Sequence, residues 1–191
     1  MTSNDSQNAK KILRAQLTSA RALLAKDPNH PAGLAKQLFD LAKSLDAKII
    51  AAYLPFGTEP NISGFVSGAS GHGLDLIMPV SNPDGRLHWV HYSGLSAPGI
   101  FGFDEPVGQA ANLLEADLIL IPATAVDRNG NRLGKGKGFY DIALAESGIT
   151  APIAAVVYEP EVLADLPVEN HDQPVNFVVT PIRTIEVGES S

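Results

Sequence analysis

The sequence contains no cysteine, which excludes disulfides, thiolate metal sites and cysteine nucleophiles. Bases are scarce: 14 Lys and Arg stand against 21 Asp and Glu, for a net charge of −7. A whole-surface nucleic-acid binder is normally basic, so no nucleic-acid partner is expected. Any anion this chain binds must meet a local cluster of cations. Long apolar runs are also missing. The greasiest stretch, Leu113 to Val126, is broken by Glu115, Asp117 and Pro122 and is too short to span a bilayer. Met1 to Asn8 is polar and lacks the apolar core of a signal peptide. The expectation is a cytoplasmic protein with no membrane partner. The five histidines show no HExxH or other ligand spacing, and no serine has a nucleophile-elbow context.

What is present is an ordinary globular balance, 45% hydrophobic and 18% charged over 191 residues, enough for one domain with a real core. Residues 1–8 read as a disordered tail and 9–187 as the domain. Ala9, Ile12, Leu13, Leu17, Ala20 and Leu24 recur at helical spacing and predict a helix over 9–26 with one apolar stripe. A second helix is predicted over 31–45, with Pro31 in its first turn. Apolar strands are predicted over 48–54, 74–78, 117–121, 153–158 and 177–180, with an edge strand over 86–92 after the turn Asn82-Pro83-Asp84-Gly85. Helices over 61–69 and 139–147 lie between them. Continuous apolar strands alternating with helices imply a three-layer α/β/α fold with a mostly parallel central sheet. Ligands in such folds sit beyond the carboxyl ends of strands, so the loops 55–61, 122–138 and 159–171 are the first places to look.

The stretch Asn129-Gly-Asn-Arg-Leu-Gly-Lys-Gly-Lys-Gly-Phe-Tyr-Asp141 is the most informative. Gly130, Gly134, Gly136 and Gly138 alternate with Arg132, Lys135 and Lys137 and lead into a helix. Glycines let backbone N–H groups approach a phosphate, the helix terminus favours an anion, and the cations supply counter-charge. The glycine spacing fits neither a Walker A loop nor GxGxxG. A solvated surface loop is the bland alternative, but so many cations in an acidic protein favour a polyphosphate cradle. Asp141 either complements the helix dipole or holds Mg²⁺ beside phosphate oxygens. Asp127 reads as a turn residue.

On the first helix Lys10, Arg14 and Arg21 project within about 40° of one another, with Lys11 and Lys26 adding charge and no acid between Ala9 and Lys26. Such a row is either a solvated face or one that meets something anionic. Glu59 leaves a strand end in Tyr53-Leu-Pro-Phe-Gly-Thr-Glu59 and could accept the N–H groups of an amidine-like edge, or simply cap a helix. Trp89 and Phe103 could line a pocket or pack in the core.

In this order the basic helix, the Tyr53–Glu59 segment, the Pro122–Asp141 loop and His171-Asp172-Gln173-Pro174-Val175 resemble the 5-formyltetrahydrofolate cyclo-ligase family over nearly the whole chain. The resemblance implies an ATP- and Mg²⁺-dependent ligase that closes 5-formyltetrahydrofolate, polyglutamylated or not, to 5,10-methenyltetrahydrofolate. It implies a monomer. It further implies that ATP meets Lys10, Lys11, Arg14, Arg132, Leu133, Gly134, Lys135, Gly136, Lys137, Gly138, Phe139 and Tyr140. Leu54 and Glu59 would meet the folate, with Lys135, Gly136, Gly138 and Tyr140 bordering it. Asp141 and Asp172 would hold Mg²⁺, and Lys10, Arg14, Arg132, Lys137 and Tyr140 would serve the chemistry. Val126, Phe139 and Asn176 depart from the usual family residues, the first two keeping apolar bulk. A phosphosugar-isomerase-like enzyme or a non-catalytic folate- or nucleotide-binding regulator would share the scaffold, because fold likeness alone does not fix activity.

Overall fold

In the computed structural model, which describes residues 3–145, 148–167 and 173–188, the first helix α1 (Ser3–Leu24) begins ahead of the start at Ala9 that the apolar spacing predicts. The added turn buries the polar Ser6, only 5% exposed, which an apolar pattern does not register. The expected apolar stripe is only partly used. Leu13 and Leu17 pack on a small cluster of Ala125, Leu133 and Leu166, while Ile12 and Ala20 face solvent. The inward face carries Ser6, Lys10 and Arg21 instead.

Arg21 explains how such a helix stays docked. Its Nε and Nη2 donate to Glu161 Oε1 and Oε2 at 2.7 and 2.8 Å, and Nη2 also reaches the Ala123 carbonyl oxygen. Glu161 Oε2 in turn accepts from the Tyr158 backbone N–H at 2.9 Å. The planar guanidinium fork suits this bidentate pairing. The row of cations thus meets an anion supplied by the chain itself, and α1 is fixed beside the carboxyl ends of the central strands.

The chain continues through α2 (His30–Ser44), β1 (Ile49–Ala51), α3 (Ser63–Gly68), β2 (Asp75–Ser81), β3 (Leu87–Pro98), β4 (Asp104–Ala111), β5 (Leu118–Pro122), β6 (Ala125–Asp127), β7 (Arg132–Leu133), α4 (Phe139–Leu144), β8 (Ile153–Val156), β9 (Val162–Leu163), β10 (Phe177–Val179) and β11 (Thr184–Glu186). The main sheet has the order β11-β10-β8-β5-β1-β2-β3-β4. The five inner strands from β10 to β2 are parallel, and the pairings β10–β11, β2–β3 and β3–β4 are antiparallel. The mostly parallel sheet is as the sequence predicts. The strand expected at the edge, β3, is covered by β4, whose polar, glycine-containing sequence carries little apolar signal. A second small sheet, β7-β6-β9, forms the roots of the glycine-rich loop.

Alternation along the inner strands fills both faces. Ile50, Leu118, Leu120, Ala154 and Val156 join the core beneath α2 and α3. Ala51, Ile119, Ile121 and Ala155 join the opposite core with Trp89 and with Ala143 and Leu144 of α4. Each fully buried Leu or Ile contributes about 1.5–3 kcal/mol relative to exposure. Trp89 is therefore a core residue. Among the described residues no helix is long and apolar enough to cross a membrane.

From the centre of the sheet the chain winds two ways: β1 to β2 on one side, β5 to β8 to β10 on the other. The loops after β1 and β5 diverge at this switch point and leave a crevice between them, where ligands of open α/β sheets bind.

Candidate functional site

The crevice is a cleft of about 260 Å³, lined from one side by Tyr53, Leu54, Phe56 and Glu59 after β1. From the other side come Arg132, Gly134 to Phe139, Tyr140 and Asp141 after β5. Pro79, Ser81 and Leu87 close it at the β2–β3 turn, and Phe103, Asp104 and Glu105 at the β3–β4 hairpin. Eleven expected site residues therefore share one wall or another of one cleft: Leu54, Glu59, Arg132, Gly134, Lys135, Gly136, Lys137, Gly138, Phe139, Tyr140 and Asp141.

Arg14 reaches the loop from α1. Its Nε donates to the Gly134 carbonyl oxygen at 2.8 Å. A Cβ on Gly136 would stand 3.4 Å from the Arg14 Cζ, and the φ of +87° there lies in the left-handed region that suits glycine. Lys10 is buried one turn earlier on the same helix, and Lys11 points outward. Neither lines the cleft. Leu133 does not either: its side chain packs with Ala125 and Leu166 and anchors the base of the loop.

The loop's cations are held in different ways. Arg132 is buried, pairs with Asp141 and donates from Nη1 to the Gln173 carbonyl oxygen at 2.5 Å. Lys135 Nζ lies 2.7 Å from Glu59 Oε1 and 5.4 Å from the Phe56 ring centroid. Lys137 Nζ sits 4.7 Å over the Phe101 ring. Glu59 Oε2 accepts from the Phe56 N–H at 2.9 Å, and the Tyr158 hydroxyl donates to the Glu59 carbonyl oxygen at 3.3 Å. Burial pushes the Tyr140 hydroxyl far above the ordinary phenol range, and the nearby Glu59 carboxylate pushes it further, so Tyr140 stays a neutral donor. Tyr53 is shifted the same way by burial and Glu59, and donates to the Pro60 carbonyl oxygen at 2.9 Å.

Asp141 lies in the first turn of α4, with its side chain 38% exposed toward the cleft. The second expected metal ligand, Asp172, and its neighbour His171 lie outside the described residues. Among the described residues no three His, Cys, Asp or Glu side chains converge on one point. One carboxylate beside a glycine-rich basic loop fits a Mg²⁺ ion that takes most of its ligands from a bound phosphate and water, not an all-protein cage.

The sequence reading missed an aromatic wall. Phe56 and Phe103 stand 4.7 Å apart, and Phe101 lies 5.8 Å from Phe139, measured between ring centroids. Phe103 was legible as a pocket candidate and Phe56 lay in a loop singled out as a place to look; their contact was not legible, nor was Phe101, because the hairpin that carries Phe101 and Phe103 has no strong strand signal. Glu105 is a further buried carboxylate at the cleft, where Oε1 accepts from the Ser81 N–H at 2.9 Å. Asn176 ties two strands together, its Oδ1 accepting from the Ile153 N–H at 2.9 Å. Val126 keeps its packing role, fully buried against the α4 side of the core.

The family model described as 5-formyltetrahydrofolate cyclo-ligase family matches residues 6–181. The 5-formyltetrahydrofolate cyclo-ligase of Mycolicibacterium smegmatis is 37% identical over 150 residues, 74% of this chain and 77% of that protein. The protein of the same name from Haemophilus influenzae is 27% identical over 174 residues, 85% of this chain and 92% of the other. The solved structure of 5,10-methenyltetrahydrofolate synthetase from Aquifex aeolicus superposes with a TM-score of 0.78 at 26% identity, covering 95% of this chain and 94% of that one.

Proposed function

The chain belongs to the 5-formyltetrahydrofolate cyclo-ligase family, and from that premise we propose that its cleft closes 5-formyltetrahydrofolate to 5,10-methenyltetrahydrofolate at the expense of ATP, releasing ADP and phosphate. The observation that carries the reading is the meeting of Arg14, the glycine-rich loop and Glu59 around one crevice.

The N5-formyl group is an amide, so its carbon is a poor electrophile and its oxygen a poor leaving group. In the proposed route the formyl oxygen attacks the γ-phosphorus of ATP and ADP departs. The resulting N5-iminium phosphate is attacked at carbon by N10, N10 loses its proton, and phosphate leaves with the former formyl oxygen. Both obstacles are removed without a covalent enzyme intermediate.

The protein's part is positioning and charge neutralisation. Loop N–H groups between Gly134 and Gly138, with Lys135, Lys137, Arg14 and Arg132, would face the charge on the transferring phosphoryl group. Lys10 would add to the field from α1. Glu59 and Leu54 would orient the pterin, and the Phe56–Phe103 wall offers its rings a stacking surface. Tyr140, held neutral, would donate a hydrogen bond to an oxygen of the reacting group. Mg²⁺ entering with ATP would neutralise phosphate charge, with Asp141 as its protein ligand and Asp172 as a proposed second. One chain supplies every group in this account, so a monomer suffices.

The test is to mix the protein with Mg-ATP and 5-formyltetrahydrofolate and to follow the near-ultraviolet absorbance of the methenyl product. Product that forms only when ATP is present supports the reading. Its absence, or its formation without ATP, refutes it.

A further inference from the structure

We propose that Lys135 and Glu59 form an interlock that couples the two substrates, so that each ligand makes room for the other. The inference rests on the ATP-dependent cyclo-ligase reading and assigns Lys135 a positioning role beyond phosphate contact.

Glu59 is assigned to the folate and Lys135 to ATP at the folate's border, yet the two side chains hold each other. Lys135 Nζ lies 2.7 Å from Glu59 Oε1, while Glu59 Oε2 takes the Phe56 N–H at 2.9 Å. Both carboxylate oxygens are engaged. An amidine-like edge, such as that of a pterin, needs two parallel acceptor sites. Oε1 becomes available for that geometry when the ammonium leaves it.

The asymmetry of exposure says which partner moves. The Lys135 side chain is 49% exposed and the Glu59 side chain 9%. Glu59 is further fixed through its own carbonyl, which accepts from Tyr158. Lys135 is a compact charge on a flexible stem with three donors. It lies on the same five-residue tip, Gly134 to Gly138, that would cradle a triphosphate. The lysine side of the pair is open to water, which screens the attraction and lets the ammonium exchange. Transfer of the ammonium from Glu59 to phosphate oxygens keeps the charge paired and uncovers Oε1. A folate taking Oε1 in turn pushes the ammonium toward the phosphates. Linkage requires these two effects to be equal.

Isothermal titration of 5-formyltetrahydrofolate, with and without Mg²⁺ and the β,γ-imido analogue of ATP, reads this directly. The wild type is expected to bind the folate about tenfold more tightly when the analogue is present. Lys135→Ala is expected to bind the folate alone more tightly than the wild type does, and to show a nucleotide effect near onefold. Lys137→Ala, whose ammonium lies over Phe101 and not on Glu59, is expected to keep the wild-type ratio once saturated with nucleotide. A wild-type ratio near one overturns the interlock, as does an unchanged ratio or weaker folate binding in Lys135→Ala. If the wild type forms methenyl product but shows no coupling, the interlock alone fails. If it neither binds the folate nor forms product, the functional reading fails and takes the interlock with it.

Discussion

Arg14 Nε donates to the carbonyl oxygen of Gly134 at 2.8 Å, joining the first helix to the glycine-rich loop across 120 residues of sequence. The contact puts a cation from the amino-terminal helix against the loop predicted to hold phosphate. It also makes the loop's position depend on how α1 is docked.

The loop's lysines should separate nucleotide use from folate use. Lys135→Ala and Lys137→Ala are each expected to lower kcat/KM for ATP by on the order of 10²-fold, the scale of losing one donor to developing charge. The Michaelis constant for 5-formyltetrahydrofolate should change far less. Steady-state kinetics with each substrate varied in turn checks this, and unchanged ATP parameters would remove both lysines from the cradle.

Asp141→Asn removes a carboxylate that now pairs with Arg132 and lines the cleft. Most Mg²⁺-dependent turnover should be lost. Titrating Mg²⁺ distinguishes a metal ligand from a simple partner of Arg132: a ligand's loss raises the Mg²⁺ concentration needed for half-maximal rate. Wild-type activity at the wild-type Mg²⁺ requirement would exclude the role.

Arg21 should matter for stability. Its ion pair with Glu161 is buried on both sides, at 4% and 2% side-chain exposure. Arg21→Ala leaves a buried carboxylate unpaired and is expected to cost about 3–5 kcal/mol. Replacing both partners together, as Arg21→Met with Glu161→Gln, should recover part of that loss. Denaturant unfolding of the two variants and the wild type gives the comparison, and equal losses in both would contradict the pairing account.

Asp117 gives a pH signature. The Ile49 and Lys48 N–H groups both donate to its Oδ2 at 2.8 Å and hold its carboxyl below the usual aspartate range. A lowered pKa means that the folded state prefers the charged form. Its stabilising effect is therefore present above the unfolded value and fades as pH falls through the lowered one. Asp117→Asn should lower Tm near neutrality and flatten the fall in Tm below about pH 4. The group is largely exposed, so the change should be small. Parallel acid slopes for variant and wild type would show that the bonds do not matter.

How much of this was legible varies with the kind of signal. The inner strands were readable because Leu118 to Ile121 and Ile153 to Val156 are apolar on both faces, as a covered parallel sheet requires. The loop that lines the cleft was readable because glycines and cations concentrate between Gly130 and Gly138. The inward face of α1 was not. Ser6, Lys10 and Arg21 are polar, and periodicity assigns polar residues to solvent unless a distant partner such as Glu161 is known. Strand β4 and the wall containing Phe101 were missed for a related reason. Residues 104–111 gain their strand character from pairing with β3, a tertiary effect that overrides local preference.

One residue that reads as a turn former has a wider consequence. Asp127, 1% exposed, accepts from the backbone N–H groups of Asn129, Asn131 and Leu166 and from the Asn131 side chain, at 2.9 to 3.1 Å. With β6 and β7 paired beside it, this carboxylate ties down the base of the glycine-rich loop. If the proposed nucleotide orders the glycine-rich loop, that ordering is confined to the short span past Leu133, and at about 1–2 kcal/mol per residue a few phosphate contacts would suffice to drive it. The sheet behind Asp127 would then serve as the fixed frame for that adjustment.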